Sequence, residues 1–482
     1  MSAAVTERQP NWGTIVGVLL LAAALRLGVA AAFPGVVHPD ETIQYLEQAY
    51  RVATGRGLVP WEYQVGARSW LLPGLLVPVV AAARAISHDP VVLRWAVSLF
   101  GIALSLVSLV AAAILAGRAG IRGGAWWAAV IAALSPELAY FAPHVLADTV
   151  AATTLIVGLA VAYRREPTRE RLVLAGLLLG LTLVLRPQLG PAVAIVALGV
   201  AGRPSLRRYA DLAAGGLVAV GVYGLVDWLT WGMPFGSIAT YVHVNAAGVA
   251  DVFGRSGPTF YVMGELATWR WAALPVLATA AIGARRAPLI AIVAAAVLLT
   301  FSAVGHKEYR FLFPALPLLF LLCGIGTAEL VGLTARWRVV APIAAAVWIA
   351  AFVVASTTPA MRGHWQRGGG AIAALDSINR DRSTCGVAVI EPRSWAQAGR
   401  SRLRDDLPLR TALDPRTYDT LLFVEGADQR SAPAGYGVAA CHGAGAELAC
   451  VRRRPGECVA ADDFRATPDP AVEAVLHREG LR

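Results

Sequence analysis

Leu71-Leu72-Pro73-Gly74-Leu75-Leu76-Val77-Pro78-Val79-Val80-Ala81-Ala82-Ala83-Arg84-Ala85-Ile86 decides how this chain is threaded. The stretch is apolar enough for a bilayer, yet it falls short of the roughly 20 residues of a full crossing and carries two prolines and an arginine. If it crossed, every later loop would change sides. Read instead as an interfacial or re-entrant piece, it puts Arg118, Arg122, Arg164, Arg165, Arg169, Arg171, Arg203, Arg207, Arg208, Arg285, Arg286, Arg336 and Arg338 on one face of the membrane. The positive-inside bias makes that face cytoplasmic. The opposite face then receives the 34–91 loop, the turn around His144 and Asp148, the long 232–270 loop, His306 to Arg310 and everything after 358.

The composition demands a membrane. With 57% hydrophobic residues, a mean hydropathy of +0.58 and 15% charge over 482 residues, the chain is not one soluble core. The formal charge of +10 would suggest nucleic acid in a soluble protein, but here the arginines gather in short loops between apolar spans, so they mark topology and no nucleic-acid partner is expected. Apolar spans near 12–33, 93–116, 125–143, 148–163, 172–185, 189–202, 211–231, 271–284, 287–304, 311–332 and 339–357 predict about eleven transmembrane helices, several of them short. Residues 1–33 also admit a signal-peptide reading, with Ala30-Ala31-Ala32 as the cleavage region, although Arg26 interrupts the apolar run.

Past 358 the spans stop and charges of both signs appear, with Cys385, Cys441, Cys450 and Cys458. The runs Cys385–Ile390, Thr420–Glu425, Gly437–Cys441 and Glu447–Arg452, among helical segments, predict a small extracytoplasmic α/β domain over 358–482 behind a membrane domain over 1–357. Disulfides suit that compartment. A Cys441–Cys450 pair would staple a hairpin, while four cysteines permit three connectivities. No metal-ligand spacing is present in the sequence, so no metal site is expected.

Two polar segments carry the candidate chemistry. The first is His38-Pro39-Asp40-Glu41, where Pro39 suits a first helical position and the two acids favour the positive end of the helix dipole. From there Ile43, Leu46, Tyr50 and Ala53 share one face, with Gln44, Glu47, Gln48 and Arg51 elsewhere, the pattern of a helix lying on a membrane surface. A cap alone would explain the acids; so would a catalytic carboxylate within reach of a lipid headgroup. The second segment is His306-Lys307-Glu308-Tyr309-Arg310. Lys307 is the only lysine in the chain, a compact, strongly hydrated point charge in a protein that otherwise uses arginine. A snorkelling anchor is the bland reading; phosphate binding is the better one beside an acidic loop on the same face.

These segments, with Tyr45, Glu47, Gly55, Gly57, Trp61-Glu62-Tyr63, Arg68-Ser69-Trp70 and Pro73, resemble those of the GT-C glycosyltransferases, specifically the eukaryotic endoplasmic-reticulum mannosyltransferases that use dolichyl-phosphate-mannose. The resemblance covers most of 12–357 and implies a bundle with surface-lying helices in the first outer loop. The tail after 358 departs from the eukaryotic pattern, and the arginine-rich, lysine-poor, alanine-rich composition suits a high-GC bacterium. What the resemblance implies is a membrane enzyme that moves a sugar from a polyprenyl-phosphate donor to a lipid or envelope glycan at the outer face of the inner membrane. Mannose is the expected sugar, with arabinose or another polyprenyl-linked sugar as the alternative.

In that chemistry a base takes the proton of the acceptor hydroxyl and cations receive the departing phosphate. Asp40 is the expected base and Glu41 its runner-up or orienting partner. Lys307, Arg310, His306 and Arg68 are expected at the donor phosphate, and His38, Glu62, Tyr63, Glu308, Tyr241, His144 and Asp148 at the substrates. A lipid monophosphate carries less charge than a nucleotide diphosphate, so no divalent cofactor is expected. A lipid-linked sugar transporter is a rival, though such proteins concentrate ionisable groups at mid-membrane and show internal repeats, which this sequence does not.

Overall fold

The computed structural model describes residues 10–481 except 165, 202–204, 334–336, 391–397, 411–413, 425–431 and 462–467. Arg165, Arg203, Arg336 and Glu425, used above, therefore lie outside the described residues. The protein is mainly helical, and each of the eleven apolar spans is largely helical, the 125–143 span divided between two helices. Five helices among the described residues are long and apolar enough for a crossing: Trp12–Ala32, Pro90–Arg118, Leu206–Trp231, Tyr309–Gly332 and Arg338–Thr357. The other six spans are the short ones, and the structure supports five long crossings without adding these six to the count. Their helices run 11 to 17 residues, below the length a straight crossing requires.

Proline explains two of the breaks. Helices Arg169–Leu185 and Gly190–Ala201 are separated by a turn at Pro187–Leu189, and the 125–143 span breaks at Ser135, with Pro136 opening the next helix. Pro136 has no N–H for the carbonyl of Ala132. The buried guanidinium of Arg26, the residue that interrupts the first apolar run, answers this by donating to the carbonyls of Ala133 (3.1 Å) and Ala132 (3.3 Å) and to Ser105 Oγ (2.9 Å). An arginine in an apolar helix is costly unless it satisfies backbone left open by a kink, as here. Elsewhere the bundle packs backbone against backbone: a Cβ at Gly176 or Gly215 would collide with the carbonyl of Leu212 or Val173 on the facing helix.

Leu71–Ile86 forms a 16-residue helix whose buried face, Leu72, Leu76, Val80 and Ala83, packs on Glu47–Thr54 and Pro90–Arg118. The segment before it differs from expectation. Glu41–Leu46 is a turn of π-helix and Glu47–Thr54 continues as α-helix, but Gln44, Glu47 and Gln48 are buried, not turned to solvent. The α/β domain covers that side. Glu47 accepts from the backbone N–H of Ser401 (2.7 Å) and of Leu58 (2.8 Å), Arg402 donates to Thr42 Oγ1 (3.0 Å), and Tyr50 donates to Asp405 (2.9 Å).

In the tail, β1 (Val387–Ile390), β2 (Leu409–Arg410), β3 (Thr420–Phe423), β4 (Gly437–His442) and β5 (Ala449–Arg453) form one sheet in the order β2-β1-β3-β5-β4. β1 runs parallel to β2 and β3, and β5 antiparallel to β3 and β4. Disulfides join Cys441 to Cys450, partners across β4 and β5, and Cys385 to Cys458.

Candidate active site

The loop 34–70 and the segment 305–311 meet in one cavity of about 730 Å³. His38, Asp40, Glu62, Arg68, Tyr241, His306, Lys307, Glu308 and Arg310 all line it. Arg310 is the hub. Its Nη2 donates to Asp40 Oδ2 at 2.6 Å and its Nε to Glu308 Oε2 at 2.5 Å, while Nη1 stands 3.9 Å from Asp148 Oδ2. The rigid planar fork of a guanidinium fixes the directions in which these carboxylates are held, which a compact, freely rotating ammonium does not.

His38 sits between the two segments. Its Nδ1 stands 3.2 Å from the Asp40 backbone nitrogen and 3.3 Å from Asp40 Oδ1, and its Nε2 lies 3.1 Å from Glu308 Oε2. Burial alone would raise the Asp40 and Glu308 carboxyls; Arg310 and His38 outweigh it, with His306 adding to the effect on Glu308, and hold both well below the usual carboxylate range. His306 faces Glu308 Oε1 (2.8 Å) and the Gly254 carbonyl (3.0 Å); the Glu308 carboxylate, then that carbonyl, raise its imidazole. Lys307 is tethered through the carbonyls of Ser256 (3.1 Å) and Val304 and has no carboxylate partner among the described residues, so its charge is left for a ligand.

Glu62 behaves differently. Its Oε1 accepts from Gln44 (2.7 Å) and its buried Oε2 has no hydrogen-bond partner among the described residues. Burial pushes its carboxyl up to about 7, despite the nearby Arg68. A folded-state value above the unfolded 4.5 means the native state binds the extra proton, so stability present below pH 4.5 is lost as pH rises to about 7. At about 1.4 kcal/mol per pH unit this amounts to about 3 kcal/mol. Melting curves of wild type and Glu62→Gln between pH 4.5 and 7.5 should therefore coincide near pH 4.5, separate steadily as pH rises and reach their full difference near pH 7, with the variant more stable. The His306 contribution has the same sign but is common to both.

Four expected site residues do not line the cavity. Glu41 is buried against His144 Nδ1 (3.0 Å) and the Val37 N–H (3.2 Å), and so fixes the loop to the 142–146 turn. Tyr63 donates its hydroxyl to the carbonyl of Gln44 (3.0 Å) and packs on Trp70 and Trp231, while Trp231 donates to the Arg68 carbonyl (3.0 Å). These contacts hold the backbone that presents Glu62 and Arg68. Asp148, fully buried, pairs with Arg186. Arg186, not anticipated, lines the cavity beside Arg310, the two guanidinium groups 4.9 and 5.3 Å from the Phe311 ring. Arg68 lies over Tyr241 at 5.1 Å. Arg68 Nε, Arg186 Nε and Arg310 Nη1 are buried N–H donors without a hydrogen-bond partner among the described residues, on three arginines that all line the cavity. Tyr140, Tyr309, His364 and Arg367 also line it.

The profile of the Alg9-like mannosyltransferase family matches residues 18–390. The chain is 27% identical over 347 residues to GPI mannosyltransferase 3 of Yarrowia lipolytica, covering 69% of this chain and 66% of that protein, just under two thirds of the relative's length. In fold it is similar to ArnT from Cupriavidus metallidurans in the apo state, at a TM-score of 0.61 and 14% identity over 91% of this chain and 97% of that one. The same protein bound to undecaprenyl phosphate gives a TM-score of 0.62 at 14% identity over 92% and 98%. With a profile match over most of its length, enclosing both the His38–Glu41 and the His306–Arg310 segments, this chain belongs to the Alg9-like mannosyltransferase family.

Proposed function

We propose that the protein is a multi-pass membrane mannosyltransferase that transfers mannose from a polyprenyl-phosphate donor to a hydroxyl of a lipid or envelope glycan, at the outer face of a bacterial inner membrane. The observation that carries this reading is the Asp40–Arg310 contact of 2.6 Å inside a cavity that also presents Lys307, Arg68 and Arg186. A carboxylate and a set of partly unspent cations converge where a headgroup fits. Family membership supports the sugar, and the ArnT fold, solved with undecaprenyl phosphate, supports the lipid class.

The acceptor oxygen attacks the anomeric carbon, its proton passes to Asp40, and the bond from that carbon to the phosphate oxygen breaks with its electron pair going to the phosphate. One displacement inverts the centre, so a β-linked donor yields an α-linked product. Asp40, ionised because Arg310 and His38 hold it low, is a weak base that takes the proton late, when bond formation has made the hydroxyl acidic. Arg310, Arg186, Arg68 and Lys307 stabilise the leaving phosphate with preset donors. Four side-chain cations serve where other transferases use a divalent ion.

The test is radiolabel transfer by purified protein from polyprenyl-phosphate-mannose to a total membrane-lipid extract, with and without chelator. Transfer that persists in chelator is expected. No transfer at all removes the enzyme reading, and chelator-sensitive transfer restored by magnesium or manganese removes the metal-free one.

A further inference from the structure

The catalytic proposal uses the cation-rich part of the cavity and leaves an aromatic part unexplained. His364, from the helix Pro359–Gln366 just past the last apolar span, lines the cavity together with Tyr309 and Tyr140. Its imidazole lies flat on the Tyr309 ring, centroids 4.2 Å apart at 12°. Tyr309 in turn meets Phe141 (5.5 Å), and Phe141 meets Phe313 (4.6 Å), a column of rings rooted in the bundle core. The Tyr309 hydroxyl is bound to Glu137, whose other oxygen accepts from Trp269 at 2.8 Å. Glu137, just past the break at Ser135-Pro136, thus anchors the Tyr309 ring.

The helix bearing His364 is itself pinned. Met361 is fully buried, Trp365 donates to the Ser356 carbonyl (3.2 Å), and its ring packs on Phe33 and Tyr140. The imidazole nitrogens have no hydrogen-bond partner among the described residues. Burial, then the nearby Arg367, push its titration down to about 4, so at neutral pH the ring is uncharged. A neutral imidazole offers one N–H donor and one acceptor, the complement of a sugar hydroxyl and a poor match for phosphate. Held flat in a ring column, it loses little freedom on binding.

We infer that His364 is a specificity-determining residue of the acceptor subsite, reading a hydroxyl of the acceptor glycan beside the Tyr309–Tyr140 wall. The inference rests on the mannosyltransferase reading above. It also gives the tail a part in the site, because its first helix supplies this residue.

The experiment uses the full-length protein in detergent, with polyprenyl-phosphate-mannose as donor and the total membrane-lipid extract as acceptor probe. His364→Ala should raise the apparent acceptor KM about tenfold, while the Kd for polyprenyl phosphate stays at the wild-type value. His364→Phe keeps a stacked ring and removes both nitrogens, so it should lose acceptor affinity equally; it also serves should the alanine variant fail to fold. An unchanged acceptor KM in the phenylalanine variant overturns the inference, as does a loss of polyprenyl-phosphate affinity equal to the loss for acceptor. If wild-type protein itself transfers nothing, the fault lies with the mannosyltransferase reading, and the inference falls with it.

Discussion

Asp40→Asn should lower kcat about 10³-fold with the donor KM within about threefold of wild type, measured by single-turnover transfer from polyprenyl-phosphate-mannose. The size is that of a general base removed from a displacement that otherwise keeps its positioning and its phosphate-binding cations. Asparagine preserves an oxygen facing Arg310 Nη2, and Glu308 remains on the same guanidinium, so the variant should stay folded. A matching melting temperature separates lost chemistry from lost structure. Near-normal turnover would exclude Asp40 as the base. Glu41 is not positioned to replace it, because its carboxylate is turned to His144 outside the cavity. Glu62 is the carboxylate that then comes into question, since it lines the cavity and its Oε2 has no hydrogen-bond partner among the described residues.

Arg310 carries the second large effect. Arg310→Met leaves Asp40 and Glu308 without their shared cation; an uncompensated buried charge of this kind costs about 3–5 kcal/mol, so poor folding is the expected result. Arg310→Lys is the informative variant. A compact ammonium lacks the planar fork that holds Asp40 and Glu308 on the same guanidinium, and it removes the Nη1 that stands 3.9 Å from Asp148. It should fold and lose about 10²-fold in kcat/KM, divided between donor KM and kcat, as expected for a group that binds phosphate in the ground state and more strongly as it leaves. Wild-type kinetics in this variant would remove Arg310 from the donor site.

The two segments that matter most were readable because their chemistry is odd for its setting. Acids beside a membrane span, and one lysine in an arginine-using chain, stand out without any fold. Residues that act through tertiary contact did not. Arg186 sits in a short turn that the span parity places on the outer face, against the positive-inside trend; that mismatch was the available signal. Tyr309 and His364 gave none, since an aromatic or a histidine at a membrane surface is ordinary, and only the stacking at 4.2 Å singles them out. The 41–54 helix has a correct amphipathic period, yet its polar side is buried because a domain more than 300 residues later covers it with Ser401, Arg402 and Asp405. Periodicity reports that one face is apolar; it cannot report what covers the other. Likewise β2, two residues long, has no pattern to find, and spans interrupted by Pro136 or Pro187 look longer in hydropathy than the helices they form.

The central claim is that the acidic loop and the Lys307–Arg310 segment form one grip on a lipid-phosphate sugar. The most direct measurement is a structure of the protein with a non-transferable polyprenyl-phosphonate analogue of the donor. The account predicts the phosphonate within hydrogen-bond distance of Arg310 and of at least one of Arg68, Arg186 and Lys307, with the anomeric carbon facing Asp40. A phosphonate bound outside this cavity, or inside it with Asp40 remote from the anomeric carbon, would contradict it.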